Sequence, residues 1–165
     1  MKVAITASDA FVAPYIIDAL GDAAVVIPDE VLEDSMTLDV MLTPCNALIH
    51  INSRPVDTSV ARNDREVKVM MREAARPVLD AVNRHGELHM IIVGTLRVHP
   101  PWSPGDDYYG PESSLSPRDT AAEGQLWIEE SALERAESGR PVSVIRASNV
   151  QGVPLEAVSY THLRA

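Results

Sequence analysis

Short apolar runs of strand length alternate with longer amphipathic stretches of helical period, and this alternation limits the architecture of the chain more than any other feature. Residues 2–6, 23–27, 47–51, 88–93 and 142–145 are rich in Val, Ile, Leu and Ala and are bounded by turn residues, which predicts strands. Between them, residues 11–20, 34–42, 60–84 and 120–138 repeat apolar side chains three and four apart, which predicts helices. Strand and helix in strict alternation give an α/β fold, a parallel sheet sandwiched by helices. Residues 47–51 (Ala-Leu-Ile-His-Ile) are nearly unbroken apolar, as a strand covered on both faces requires. The interval between the second and third runs has no room for a further strand and crossover helix, so the usual outer strand is expected to be missing. Pro77 lies inside the longest helical stretch and predicts a kink or a restart there. Residues 100–117 are rich in proline and read as loop.

Charge and cysteine content narrow the functional classes. The 165 residues carry 24 acidic and 14 basic side chains, a net charge of −10, which argues against a phosphate-binding nucleic-acid surface. No apolar run approaches the roughly 20 residues of a membrane span, and the first residues lack the apolar core and cleavage pattern of a signal peptide. A single cysteine, Cys45, rules out an internal disulfide and a cysteine metal cluster, which suits a cytoplasmic location. His85, His89, His99 and His162 show no paired ligand spacing, so no metal site is expected. His50, inside a buried strand, reads as a structural histidine. The only lysines are Lys2 and Lys68.

Residues 2–20 form a strand, a tight turn and a helix, so the turn faces the carboxyl end of a strand, where a doubly wound α/β domain binds a dinucleotide. Such a turn uses glycines at three-residue spacing; here Ala7, Ala10 and Ala13 hold the spacing, with Phe11 and Val12 between them. Forcing a residue other than glycine into the left-handed region costs about 1–2 kcal/mol, so the turn should take another shape. Alanine also favours helix, which predicts an earlier helix start that fills the cofactor's space. Asp29 lies 19 positions after Ala10, where the ribose hydroxyls would be held, though an acidic residue after a strand is more often a plain loop carboxylate.

The segment VIRASNVQGV (144–153) resembles the Arg-x-x-Asn-Val-x-Gly segment after the sixth strand of the extended short-chain dehydrogenase/reductases, the NAD-dependent epimerase/dehydratase family. LIHINS (48–53) is similar to the family's apolar strand ending in His-x-Ala-Ala. IIVGTLRVH (91–99) is similar to its strand ending in Ser-Ser/Thr-x-x-Val-Tyr, and ESSLSP (112–117) to its acidic loop before the catalytic helix. The resemblance implies a Rossmann-type doubly wound parallel sheet over residues 1–157, with NAD or NADP as cofactor and a nucleotide sugar as substrate. It places Ala7, Ala10, Phe11, Val12, Asp29, Asn52 and Ser53 on the cofactor side, and Arg146 and Asn149 on the substrate side.

The family's catalytic pair is a tyrosine with a lysine four residues later. The lysine lowers the tyrosine's pKa and holds the nicotinamide ribose, while the tyrosine moves a proton. Aligning Gln125-Leu-Trp-Ile-Glu129 with the family's Lys-Leu-x-x-Glu puts Ala121 at the tyrosine and Gln125 at the lysine, and only Thr95 matches the family's Ser/Thr. The resemblance therefore implies an impaired enzyme or a pseudoenzyme with a ligand-binding or partner role. The alternatives are an active nucleotide-sugar epimerase, dehydratase or reductase, and a non-catalytic dinucleotide sensor. The family also implies a homodimer or heterodimer through helices 60–84 and 118–138. Trp102, Tyr108 and Tyr109 either line a substrate mouth or pack the proline-rich loop. The family's substrate domain is expected to be absent, and residues 158–165 read as a non-native tail.

Overall fold

Five parallel strands order as β2-β1-β3-β4-β5, with each step from strand to strand crossing over through a helix or a longer segment. The computed structural model describes residues 1–6, 10, 12–51, 63–101, 103, 109–110 and 112–147. Its strands are β1 (Val3–Ile5), β2 (Ala24–Val26), β3 (Ala47–Ile51), β4 (His89–Thr95) and β5 (Val142–Ala147). Its α-helices are α1 (Ala13–Leu20), α2 (Ser35–Leu42), α3 (Asp64–Arg84) and α4 (Thr120–Glu137). The order reverses between β1 and β3, which is the topological switch point of a doubly wound sheet. β2 is an edge strand, so the expected loss of an outer strand is met: α2 and a short 3-10 turn fill the interval that a further βα unit would need.

Side-chain alternation along each strand splits the core in two. Ala4, Leu48, Met90 and Ile92 point to the face covered by Leu38 and Leu42 of α2, Val78 and Val82 of α3, and Ile128 and Ala132 of α4. Ile5 and Ile51 point to the other face, where Ala13, Ile16, Ile17 and Leu20 of α1 meet them. Burying each such large side chain fully contributes roughly 1.5–3 kcal/mol. α3 and α4 pack closely because Gly124 carries no side chain: a Cβ there would sit 2.5 Å from the Met71 sulfur.

Local signals explain the helix ends. The side chain of Asp34 accepts from the Met36 and Thr37 amides, Asn63 from the Glu66 amide, and Asp119 from the Ala122 amide, each filling an orphan donor of a first turn. α3 runs through Pro77 as one helix, so the expected restart is not observed. α1 starts at Ala13, not earlier as alanine propensity suggested. Pro14, in the first turn, accounts for this: its missing N–H costs nothing there and would break a helix already under way.

Candidate functional site

The carboxyl ends of β1 and β3 flank the switch point, and the residues there are buried. Thr6 Oγ1 lies 2.8 Å from His50 Nδ1, and both side chains are buried. His50 Nε2 has no partner among the described residues. Burial without a compensating charge pushes the His50 pKa down to about 4, so the ring is neutral near pH 7. Ala10 packs with Ala13, Ile5 and Ile51 in the α1 cluster, and its carbonyl accepts from the Ala13 amide at 2.9 Å. Val12 is half-buried against the same cluster. Asp29 opens the 3-10 turn after β2 and is half-buried. Ala7, Phe11, Asn52, Ser53 and Asn149 lie outside the described residues, as do Trp102, Tyr108 and His162.

At the end of β4, Thr95 Oγ1 accepts from the Arg97 amide at 3.2 Å and caps the following 3-10 turn. Arg97 in turn pairs with Asp119, the residue that caps α4. The first turn of α4 therefore hangs from the end of β4, and Ala121 there is exposed.

One helical turn further, α4 turns a polar face into the sheet. Gln125 is 4% exposed and its amide nitrogen donates to Glu129 Oε1 at 2.9 Å. Glu129 is fully buried, and its other oxygen accepts from Arg146 Nε of β5 at 2.8 Å. Gly94 of β4 makes room for this pair: a Cβ there would lie 2.7 Å from Gln125 Nε2 and still closer to Glu129. Arg146 also reaches His99 Nε2 at 3.4 Å, while His99 Nδ1 lies 3.0 Å from the Ser114 carbonyl oxygen. A carbonyl only accepts, so Nδ1 carries the hydrogen and Nε2 is left to accept from Arg146. The His99 ring stacks on Tyr109 with centroids 4.5 Å apart, and Arg118 donates to the His99 and Pro100 carbonyls. Tyr109 thus packs the proline-rich segment onto the end of β4. Chemically, the network holds a carboxylate paired with one guanidinium and hydrogen-bonded by one neutral amide.

The structure brings together Gln125, Glu129 and Arg146, of which the sequence reading assigned Gln125 and Arg146 to different sides of a site. Thr95 sits near them in the chain direction at the same end of β4, but its hydroxyl serves a local cap. Glu129 and His99 were not read as parts of one cluster. The signal for Glu129 was its spacing of four from Gln125, which places both on one helix face. Nothing in the sequence signalled His99 meeting Arg146. For NAD or NADP, the described positions fit poorly: Ala10 fills an apolar cluster where the backbone should be bare, and Gln125 offers an amide already given to Glu129.

No sequence model of a known family matches the chain, and no curated protein matches it. Solved structures do. RMD from Pseudomonas aeruginosa complexed with NADPH superposes with a TM-score of 0.73 at 17% identity, over 94% of this chain and 57% of that one. dTDP-glucose 4,6-dehydratase from Bacillus anthracis in complex with NAD gives 0.72 at 12% identity, over 93% of this chain and 56% of that one. UDP-glucuronic acid 4-epimerase from Bacillus cereus, in complex with UDP-glucuronic acid and NAD, gives 0.66 at 16% identity, over 88% and 56%. The chain spans little more than half the length of each. Its five-stranded parallel sheet, with the order reversing between β1 and β3, is thus a Rossmann-type fold shared with these solved structures.

Proposed function

We propose that this chain is an epimerase/dehydratase-like Rossmann domain whose oxidoreductase chemistry is impaired, with a ligand-binding or partner role in its place. One observation carries the reading. At the position where the family has a lysine, Gln125 turns its amide into the sheet and donates to Glu129. A lysine there would supply an ammonium to the cofactor ribose and to a tyrosine four residues earlier; Ala121 supplies no phenol. When bound, NAD or NADP would supply hydride transfer, and the residues here that should orient it are Ala10, Val12 and Asp29 of the described set. The packing of Ala10 into the apolar cluster with Ile5 and Ala13 supports a turn shaped by its own core contacts.

Partner binding is supported by α3 and α4, which lie side by side and leave Val69 and Leu133 exposed. Arg72 lies 5.0 Å over the half-buried Trp127 ring on the same pair of helices. A homodimer or heterodimer through this helical face belongs to the proposal.

Calorimetric titration with NAD+, NADH, NADP+ and NADPH tests it. Heat of binding at micromolar cofactor would defeat the claim that the alanine turn closes the site and would favour the dinucleotide-sensor reading. Turnover of a nucleotide sugar with cofactor present would defeat impairment altogether and establish an active epimerase, dehydratase or reductase. The expected result is neither.

A further inference from the structure

The proline-rich segment that leaves β4 comes back to it, and contacts of three kinds fix its return. Its backbone pairs with the turn after β4: the Ser116 amide donates to the Val98 carbonyl at 2.9 Å and the Arg118 amide to the Arg97 carbonyl at 3.0 Å. The Arg118 side chain spans the same gap, donating from Nε to the His99 carbonyl at 3.1 Å and from Nη2 to the Pro100 carbonyl at 2.9 Å. The third kind is made by the His99 ring. Its Nδ1 donates to the Ser114 carbonyl at 3.0 Å, and its face stacks on Tyr109, whose hydroxyl donates to the Pro100 carbonyl. Tyr109, Gly110 and residues 112–118 thus form a strap against the carboxyl end of β4.

The first two kinds of contact stay within the strap and the turn, whereas the His99 ring goes further. Only 2% exposed, it meets Arg146, whose Nη1 donates to Nε2 at 3.4 Å while its Nε holds Glu129 at 2.8 Å. One guanidinium therefore serves the buried carboxylate with one arm and the strap's anchor with another. The two bonds of the ring stand or fall together, because a neutral imidazole carries a single N–H. With the hydrogen on Nδ1, Ser114 and Arg146 are both satisfied. With it on Nε2, a lone pair faces the Ser114 carbonyl and an N–H faces the guanidinium, so both bonds are lost. Each partner thereby favours the tautomer that the other needs. Of the bonds to Arg146, the short charged one to Glu129 outweighs the long one to His99, so the buried pair sets where the ring can lie.

We infer that the strap is a conformational device latched through His99 to the buried polar face of α4, with His99 as the positioning residue between them. Its seating and the Glu129–Arg146 pair strengthen each other, and by linkage a change at either end is felt at the other by the same factor. The strap lies at the end of the sheet where a doubly wound fold takes its ligands, so its seating governs access there. That use of the strap rests on the ligand-binding role proposed above. The latch itself is read with no ligand present, so the two readings fail separately.

Hydrogen exchange followed by NMR tests the latch, since coupling between sites needs perturbation from both ends. The probes are the Ser116 and Arg118 amides of the strap, with the Thr6, Ile27 and Met90 amides, which donate to the Ile49, Ile5 and Pro141 carbonyls, as controls. Arg146→Lys keeps a cation for Glu129 but has no second arm for His99. It should speed exchange of the two strap amides at least tenfold and leave the controls within threefold. From the other end, Tyr109→Leu loosens the strap without touching Arg146 and should speed exchange of the Arg146 Nε–H at least threefold. His99→Asn keeps a donor for Ser114 and removes the arm to Arg146; in that background Arg146→Lys should change the strap amides less than twofold. Strap amides that stay within threefold in Arg146→Lys overturn the proposal. A uniform loss of protection in either variant, controls included, also overturns it, because strap and sheet would then open as one unit. A tenfold effect that persists in the His99→Asn background removes His99 from the latch and overturns it as well.

Discussion

Replacing Arg146 by Met should be the most damaging single change to the candidate site, through the charge it strands. Glu129 has no exposed surface, and its two oxygens are held by Arg146 Nε at 2.8 Å and Gln125 Nε2 at 2.9 Å. Methionine keeps most of the arginine stem's packing and removes only the guanidinium, so the carboxylate is left in the core with a single neutral donor. Breaking a buried pair in this way costs about 3–5 kcal/mol. For a domain of this size, each kcal/mol moves Tm by roughly 2–4 °C, which predicts a fall of roughly 6–20 °C. Adding Glu129→Gln to Arg146→Met removes the stranded charge, so the double variant should melt above the Arg146→Met single variant. The cycle's coupling energy should fall at the upper end of the usual ~0.5–3 kcal/mol for contacting residues. Urea and thermal denaturation of the four proteins give these values. An Arg146→Met variant within about 1 kcal/mol of the original, or a double variant no more stable than that single one, would refute the reasoning.

Two further expectations concern groups away from that pair. His50 has its pKa lowered from 6.5 to about 4 by burial, so the unfolded chain binds more protons than the folded one between those values. Stability should therefore be free of this penalty above pH 6.5, fall as pH drops, and lose roughly 3 kcal/mol by pH 4. His50→Gln should flatten that part of the urea-midpoint profile; parallel profiles for the two proteins would count against the assignment. Arg135 is 4% exposed and donates to the carbonyls of Val82 (2.5 Å), His85 (2.8 Å) and Leu88 (2.7 Å), tying the end of α3 to the start of β4. Burial lowers its pKa. Arg135→Met leaves those carbonyls without their donor and should cost about 3 kcal/mol, read as a lower Tm; a loss under about 1 kcal/mol would show that water replaces the guanidinium.

The fold was legible because its signals are local. Val3–Ile5, Ala47–Ile51 and His89–Thr95 are strands where apolar β-branched runs predicted them, and Asp34 and Asp119 cap helices where short polar side chains precede apolar periodicity. The start of α1 was misread because helix propensity is a weak term that one proline in the first turn outweighs. Pro77 was weighed as a helix breaker, but its half-buried place in α3, between the buried Ala75 and Val78, lets tertiary packing hold the helix together. The site was legible only in outline. Gln125 and Arg146 could be named one at a time, each from its own motif, but not joined.

The amino-acid sequence by itself determined the order and type of the elements, the missing outer strand and which residues stand where the resembled family has glycines, a tyrosine and a lysine, because period, chain length and residue identity are properties of the chain alone. Tertiary structure alone decided that Gln125 faces inward to Glu129, that Arg146 pairs with that carboxylate from the next strand, and that His99 stacks on Tyr109. Each of these depends on which strand lies beside which and on what covers the sheet, and residues as much as 47 positions apart meet only once parallel crossovers have set that register.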